Sequence, residues 1–140
     1  MTIIFLNGCT SAGKSGIARA LQNQLAEPWL LTGIDDAFQM IPERYHGHPD
    51  GFYFDRTDKN LVRLNFGEFG MATLLAHQRA AVAIARGGVN LILDEVVLNA
   101  ELRAGWRENL QDLVVFRVGV HCQLEELERR EVARGDRVIG

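Results

Sequence analysis

Four short apolar runs recur along the chain. Their side chains are apolar at consecutive positions rather than at every second position, which is typical of strands buried on both faces of a sheet. The pattern therefore predicts four core strands, at Ile3–Asn7, Trp29–Ile34, Val89–Leu93 and Leu113–Val120.

The segments between these runs carry apolar residues at helical spacing. In Lys14–Ala26 these residues are Ile17, Leu21 and Leu25, and Pro28 follows the helix. Further helices are predicted at Asp36–Met40, Glu68–Arg86, Glu101–Leu110 and Leu124–Ala133. The longest of them ends at a Gly-Gly pair and has one apolar face, formed by Met71, Leu74, Leu75, Val82 and Ala85.

The order of these elements indicates the fold class. Strands that alternate with helices favour an α/β fold, with a parallel sheet, right-handed crossovers and helices on both faces. Residues 43–66 interrupt this alternation, and their pattern fits either a small β-hairpin that turns at residues 57–60 or an ordered loop.

Composition limits the classes of partner. The chain has 140 residues, enough for one domain with a sizeable core, and its net charge of −3 gives no basic footprint for nucleic acid or an anionic membrane. No apolar run approaches the ~20 residues of a membrane span, and Ile3–Leu6 is too short for a signal peptide, so we expect a cytoplasmic protein. Cys9 and Cys122 are too few for a disulfide framework or a zinc site, and we interpret both as reduced thiols.

A glycine-rich segment between the first strand and the first helix carries the strongest chemical signal. It fits the G-x-x-x-x-G-K-[ST] pattern and consists of Gly8, Cys9, Thr10, Ser11, Ala12, Gly13, Lys14 and Ser15. Its backbone N–H groups and the helix N-terminus attract phosphates, Lys14 supplies a cation for the β- and γ-phosphates of ATP, and Ser15 offers a hydroxyl ligand to Mg²⁺. The alternative is a glycine turn with a solvated lysine. The pattern leaves open whether phosphate goes to water, to the hydroxyl of a small molecule, or nowhere.

Acidic residues follow two of the predicted strands. Ligands of an open parallel sheet bind beyond the carboxyl ends of its strands. These acids should therefore face the glycine-rich segment Gly8–Ser15, which we call the phosphate loop. Asp35, the first residue after the second predicted strand, suits a general base for an acceptor hydroxyl, and Asp36 suits a helix cap. Asp94 suits an Mg²⁺ ligand or, alternatively, a contact to the acceptor substrate. Glu95 could serve instead, because adjacent strand residues face opposite ways. Both pairs could also be simple caps or turn residues.

Basic residues gather near the end of the chain, at Arg129, Arg130, Arg134 and Arg137. Arginines on a segment that closes over a phosphoryl group offset its charge during transfer, and Gly135 would let Arg137 swing. The alternative is a solvated helix with internal pairs such as Glu126–Arg130.

With these residues in place, the chain resembles the chloramphenicol phosphotransferase family of P-loop kinases. The resemblance rests on "LNGCTSAGKSGIARAL", "EPWLLTGIDDAFQMIP", "LILDEVVL", "VGVHC" and "REVARGDRV". It implies transfer of the γ-phosphate of ATP to an alcohol, with Asp35 as the catalytic aspartate, Lys14 and Ser15 in the phosphate loop, and lid arginines at Arg130, Arg134 and Arg137. The stretch "ERYHGHPDGFYFDRTD" departs from the family pattern, which leaves the acceptor open.

The resemblance also implies a helix and a fifth strand after the lid. We therefore expect residues 1–140 to form a single P-loop kinase-like domain that is shortened at its C-terminus relative to the family. The strand Leu113–Val120 would then lie at a sheet edge, where a second copy or another partner would cover it. Three kinds of function stay open: a kinase for chloramphenicol, a kinase for another alcohol such as a sugar acid, a shikimate-like alcohol or a nucleotide sugar, and a nucleotide-binding module without transfer activity.

Overall fold

A computed structural model describes residues 1–58 and 61–134, with only the backbone described at positions 57, 58, 61 and 134. Within these residues the strands are β1 (Ile3–Asn7), β2 (Trp29–Gly33), β3 (Phe52–Asp58), β4 (Leu61–Phe66), β5 (Asn90–Glu95) and β6 (Val115–Gly119). The α-helices are α1 (Lys14–Gln24), α2 (Ile34–Met40), α3 (Glu68–Arg86), α4 (Ala100–Asn109) and α5 (Leu124–Arg134). A single 3₁₀ turn, Glu43–Tyr45, follows α2 among the described residues.

The main sheet confirms the predicted α/β class. Its four described strands are parallel and lie in the order β2–β5–β1–β6. The chain runs from β1 to the far edge at β2, later inserts β5 between them, and finally adds β6 beside β1. This order brings the carboxyl ends of β1, β2 and β5 together at one edge, because parallel strands end on the same side of a sheet.

Helices cover the two faces of the sheet unequally. On one face, α1 packs over Leu6 and Ile92 through Ala18 and Leu21. On the other face, α3 and α4 bury a larger cluster, in which the Trp106 ring meets the edge of Phe5 at 5.3 Å between centroids. We call these the α1 face and the α3–α4 face.

The sequence prediction for the inner side of α1 was partly wrong. Ile17 is 40% exposed, whereas Ala18 is completely buried. Helical spacing alone indicated Ile17, but the smaller Ala18 is the residue that packs against Leu6 and Ile92 of the strands. The helix also ends at Gln24, two residues before its predicted end.

Helix α2 begins earlier than the sequence predicted. Ile34 was assigned to the second strand and the helix start to Asp36, whereas β2 ends at Gly33 and Ile34 opens the helix. The side chain of Asp36 accepts a hydrogen bond from the Gly33 backbone N–H at 2.9 Å, and this cap fixes the start of α2. Gly33 also lies so close to β5 that a Cβ there would collide with the carbonyl oxygen of Asp94.

Strand β5 is longer at its carboxyl end than the sequence predicted. Asp94 and Glu95 were placed just after the strand, but both belong to it and pair with Leu6 and Asn7 of β1. Parallel pairing with β1 extends the strand through two acidic residues that have low strand propensity. The remaining helix and strand boundaries differ from the predicted ones by no more than two residues.

Residues 52–66 form the β-hairpin that the sequence left as one of two alternatives. Strands β3 and β4 are antiparallel, and residues 59 and 60 of the predicted turn lie outside the described residues. The hairpin packs on α2 through aromatic rings: the Phe38 ring centroid lies 4.9 Å from that of Phe52 and 6.1 Å from that of Phe66.

Strand β6 forms one edge of the described sheet, as predicted. Val115 packs on the α3–α4 face, while Phe116 on the α1 face is 63% exposed and Val118 is 41% exposed. Apolar side chains are therefore uncovered on one side of this strand only. None of the described helices has the length and apolar character needed to cross a membrane.

Candidate active site

The phosphate loop connects β1 to α1 and turns through two left-handed backbone positions. Ser11 has φ 60° and Gly13, the residue before α1, has φ 95°. Such conformations aim successive backbone N–H groups at a common point, and a non-glycine residue with positive φ is uncommon and concentrated at functional sites. Gly8 is also sterically required, because a Cβ there would collide with the Val120 carbonyl oxygen.

Lys14 folds back over this loop. Its ammonium group donates to the Cys9 carbonyl oxygen at 2.8 Å, and the residue is only 6% exposed. A buried lysine requires compensation for its lost hydration. Part of that compensation is the carboxylate of Asp94, whose Oδ1 lies 4.0 Å from Lys14 Nζ.

Asp94 is also bound by the first turn of α1. The Ser15 hydroxyl donates to Asp94 Oδ2 at 2.6 Å, so the hydroxyl and the carboxylate lie together beside the loop. Both are oxygen donors of the kind that Mg²⁺ prefers, and Mg²⁺ commonly takes only one or two protein ligands. The described residues contain no cluster of three or more histidines, cysteines or acids that could hold a metal, which is compatible with such a sparse site.

Glu95, the other candidate on this strand, faces away from the loop. It is 3% exposed on the α3–α4 face, and the Trp106 side chain hydrogen-bonds to its carboxyl group. Burial raises the pKa of Glu95 to about 8, aided by the nearby negative charges of Asp94 and Asp35 and opposed by the Trp106 hydrogen bond and Lys14. The geometry therefore brings Asp94, and not Glu95, to the phosphate loop.

The two acids of "GIDDAF" occupy different positions on α2. Asp36 is the cap, since its Oδ2 accepts from both the Gly33 N–H and the Thr32 hydroxyl, at 2.9 and 2.8 Å. Asp35 is the second residue of the helix rather than the first residue after the strand, and it is exposed. It lies at the carboxyl end of β2, where Gly33 is the register partner of Asp94.

Helix α5 closes one side of a cleft of about 400 Å³ over the loop. The lining residues are Ser11, Gly13, Lys14, Ser15, Gly16, Arg129, Arg130 and Ala133. Arg130 Nη1 donates to the Ser11 carbonyl oxygen at 3.2 Å, and the Thr10 hydroxyl donates to Glu131 Oε1 at 3.1 Å. These two contacts hold α5 against the phosphate loop.

Of the three predicted lid arginines, only Arg130 has a described side chain. Arg130 reaches the loop, and it also forms the internal pair with Glu126 that the sequence offered as an alternative, at 2.7 Å. Arg129 pairs with the same carboxylate at 2.7 Å. Arg134 is the last residue of α5, but its side chain lies outside the described residues, as does Arg137.

Sequence reasoning missed a partly buried polar pair behind α2. The Thr32 hydroxyl, which donates to Asp36, lies 3.0 Å from His77 Nε2 on α3. Because that hydroxyl has one proton, His77 must be the donor in this contact. Burial lowers the pKa of His77, although Asp36 opposes this. The available signal was a pair of polar residues, His77 and Gln78, on a helix whose other buried residues are apolar or glycine.

The strand–loop–helix arrangement and its carboxylates define a P-loop kinase-like fold, and solved structures support this class. The structure of a sugar kinase from Janibacter sp. HTCC2649 matches with a TM-score of 0.66 at 18% identity, covering 100% of this chain and 71% of that chain. The crystal structure of APE1195 matches with a TM-score of 0.65 at 22% identity, covering 94% of this chain and 66% of that one.

Sequence comparison identifies the family within this class. The chain belongs to the chloramphenicol phosphotransferase-like protein family, whose model matches residues 1–140. It is also 32% identical to a Mycobacterium tuberculosis (strain H37Rv) protein named "Putative O-phosphotransferase Rv2636" and to its counterpart in strain CDC 1551. Each alignment covers 99% of this chain but 65% of the relative, so the chain spans about two thirds of their length.

Proposed function

We propose that this chain carries the nucleotide site and the catalytic base of an ATP-dependent phosphotransferase that moves the γ-phosphate to an alcohol of a small molecule. The observation that carries the proposal is the 2.6 Å contact between the Ser15 hydroxyl and Asp94, with Lys14 beside them. These are the three groups that a P-loop enzyme needs around a magnesium-bound triphosphate.

The phosphate site would combine the positive charge of Lys14 with backbone N–H groups that point toward the phosphates. The loop from Gly8 to Ser15 would bind the phosphates through its N–H groups, with Lys14 near the β- and γ-phosphates. Lys14 now donates to Cys9 within the loop and would exchange that carbonyl for phosphate oxygens. Ser15 and Asp94 would hold Mg²⁺, which supplies charge neutralisation for the phosphate groups when bound.

Asp35 is the proposed general base. Its position in the first turn of α2, held by the Asp36 cap, gives a carboxylate that is exposed to an acceptor yet fixed in place. It would orient the acceptor hydroxyl and take its proton as the new bond to phosphorus forms. Arg130, Arg134 and Arg137 would offset the charge of the transferring group.

The acceptor is proposed only as a class, an alcohol-bearing small molecule. The family description and the O-phosphotransferase name of the relatives support a hydroxyl acceptor. The hairpin β3–β4 lies against α2 through Phe38, three residues after Asp35, and it would shape the acceptor side of the site. Chloramphenicol, and with it a role in antibiotic resistance, is one candidate among sugar acids, shikimate-like alcohols and nucleotide sugars.

ADP release in the presence of a panel of hydroxylated compounds tests the proposal. Chloramphenicol, gluconate, shikimate and a UDP-sugar represent the candidate acceptors, and a kinase should release ADP faster with its own acceptor. A protein that binds ATP but responds to no acceptor would instead fit the nucleotide-binding module.

The Asp35→Asn variant tests the catalytic base. We expect transfer to fall by about 10²–10⁴-fold, because proton abstraction is lost, while ATP binding measured by calorimetry stays within a few fold of the original value. Asp112→Asn, a change of an equally exposed acid far along the chain, is the matched control. Wild-type turnover by Asp35→Asn would refute the assignment.

A further inference from the structure

A small, partly enclosed cavity lies beneath the carboxyl end of β5, on the α3–α4 face. It has a volume of about 10 Å³ and is lined by Ile34, Leu74, His77, Gln78, Glu95 and Leu102. Four of these residues are apolar or have a polar group already engaged, since His77 is bonded to Thr32. The remaining two lining residues, Gln78 and Glu95, each have a polar side chain.

Each of these two residues has one buried oxygen without a partner. Gln78 and Glu95 are both 3% exposed, and Gln78 Oε1 and Glu95 Oε1 lack a hydrogen-bond partner among the described residues. The other ends of both groups are satisfied: Gln78 Nε2 donates to the Leu102 carbonyl oxygen at 3.1 Å, and Trp106 hydrogen-bonds to the Glu95 carboxyl. The two orphaned atoms are thus on residues that line one cavity.

Leaving both oxygens unpaired would be expensive. A buried polar group without a partner loses its hydration and gains nothing in return, and the large majority of buried side-chain polar atoms in folded proteins are paired with protein or with ordered water. The Gln78 amide cannot simply rotate to exchange its ends, because its oxygen would then face the Leu102 carbonyl oxygen. Among the described residues, none supplies the missing partner.

Size and chemistry identify that partner. A cavity of about 10–15 Å³ is the smallest that holds a water molecule, so nothing larger than water fits the space. A water molecule can donate to a carboxylate and to an amide oxygen at once. If the carboxyl is instead protonated, the same water accepts from it and still donates to the amide. A cation would need more oxygen ligands than these two groups supply.

We infer that this cavity is a binding site for a single water molecule, which joins Glu95 Oε1 to Gln78 Oε1. The water connects β5 to α3, and Gln78 continues the connection to α4 through Leu102. Glu95 is the residue after Asp94 on β5. The cavity and the two unpaired oxygens are present whatever reaction the protein catalyses.

A high-resolution crystal structure of the wild-type chain is the direct test. We expect one solvent peak in the cavity, at about 2.7–3.2 Å from both oxygens. Direct contact between the Glu95 carboxyl and the Gln78 amide with no peak between them would overturn the inference. A cavity without density would overturn it as well.

The variant Gln78→Met tests the same site in solution, and Gln22→Met, at a half-buried position, serves as a comparison. Gln22 also donates its side-chain amide to a backbone oxygen, that of Trp29 at 2.8 Å, but it does not border the cavity. If water satisfies Gln78 Oε1, then Gln78→Met should lower the urea midpoint of unfolding more than Gln22→Met. If that oxygen is unpartnered, its removal relieves a penalty, and Gln78→Met should lower the midpoint less than Gln22→Met or raise it.

Discussion

The two faces of the parallel sheet treat neighbouring carboxyl groups in opposite ways. On the α1 face, Asp94 lies beside the phosphate loop, bonded to Ser15 and 4.0 Å from Lys14 Nζ. On the α3–α4 face, Glu95 is buried, and its raised pKa of about 8 makes it a neutral acid at pH 7. Strand alternation separates the two side chains, and the helices that pack on each face decide their chemistry.

The two faces also differ in how completely they are covered near the β6 edge of the sheet. The α3–α4 face is closed by a large apolar cluster that includes Trp106 and reaches Val115 of β6. The α1 face carries the cleft between the loop and α5 and leaves Phe116 exposed. The candidate active site therefore lies on the α1 face, which is less packed. Packing on the α3–α4 face holds the strands that position this site.

The largest of these expected effects is a difference in activity between variants of Asp94 and Glu95. Asp94→Asn should lower phosphate transfer by about 10²–10³-fold, since it removes a charge from the proposed Mg²⁺ site. Glu95→Gln, which keeps the shape of a neutral acid, should leave transfer within a few fold. Steady-state kinetics of both variants with the same acceptor measures this, and equal losses would contradict the division between the faces.

The pH dependence of unfolding should report Glu95. Its folded pKa of about 8 lies above the ordinary glutamate value of 4.5, so its contribution to stability is complete below pH 4.5 and is lost as pH rises through 8. At about 1.4 kcal/mol per pKa unit, the loss is about 5 kcal/mol at most. Urea unfolding of the metal-free protein between pH 5 and pH 9 should show the decline. Glu95→Gln should flatten it, and an unchanged slope in that variant would assign the decline to other groups.

A smaller effect is expected at the polar pair behind α2. Thr32→Val removes the hydroxyl that joins Asp36 to His77, and it should lower the free energy of unfolding by about 1–3 kcal/mol. Thr32→Ser keeps the hydroxyl and should restore most of the loss. The control is Thr73→Val, whose hydroxyl bonds to the Phe69 carbonyl oxygen on the helix surface. Equal losses at both threonines would show that burial of the Thr32 network is unimportant.

The smallest effect on stability is expected at the open edge. Phe116→Ser should change the free energy of unfolding by no more than about 0.5 kcal/mol, because its ring is 63% exposed. It should nevertheless weaken self-association, if a second copy of the chain covers this edge. Analytical ultracentrifugation over a range of concentrations measures this, and identical behaviour of variant and wild type would exclude a role for Phe116 in self-association.

Local signals predicted the alternation of elements and much of the loop side of the site. The G-x-x-x-x-G-K-[ST] spacing locates Gly8 to Ser15, because a phosphate loop is encoded in consecutive residues. The α/β class followed from consecutive apolar runs for the same local reason. The start of α2 was misplaced by two residues, because the apolar run was extended through Ile34 although Asp36 caps the helix at Gly33.

The sequence by itself determined the phosphate loop, the order of strands and helices and the presence of paired acids after two apolar runs. Only the tertiary structure decided that Asp94 meets Ser15, that Asp36 caps α2 while Asp35 stays exposed, and that Glu95 is buried beside Gln78. The reason is physical: a loop motif and an apolar period are properties of neighbouring residues, whereas the charge state and partners of a carboxyl group depend on which elements pack around it.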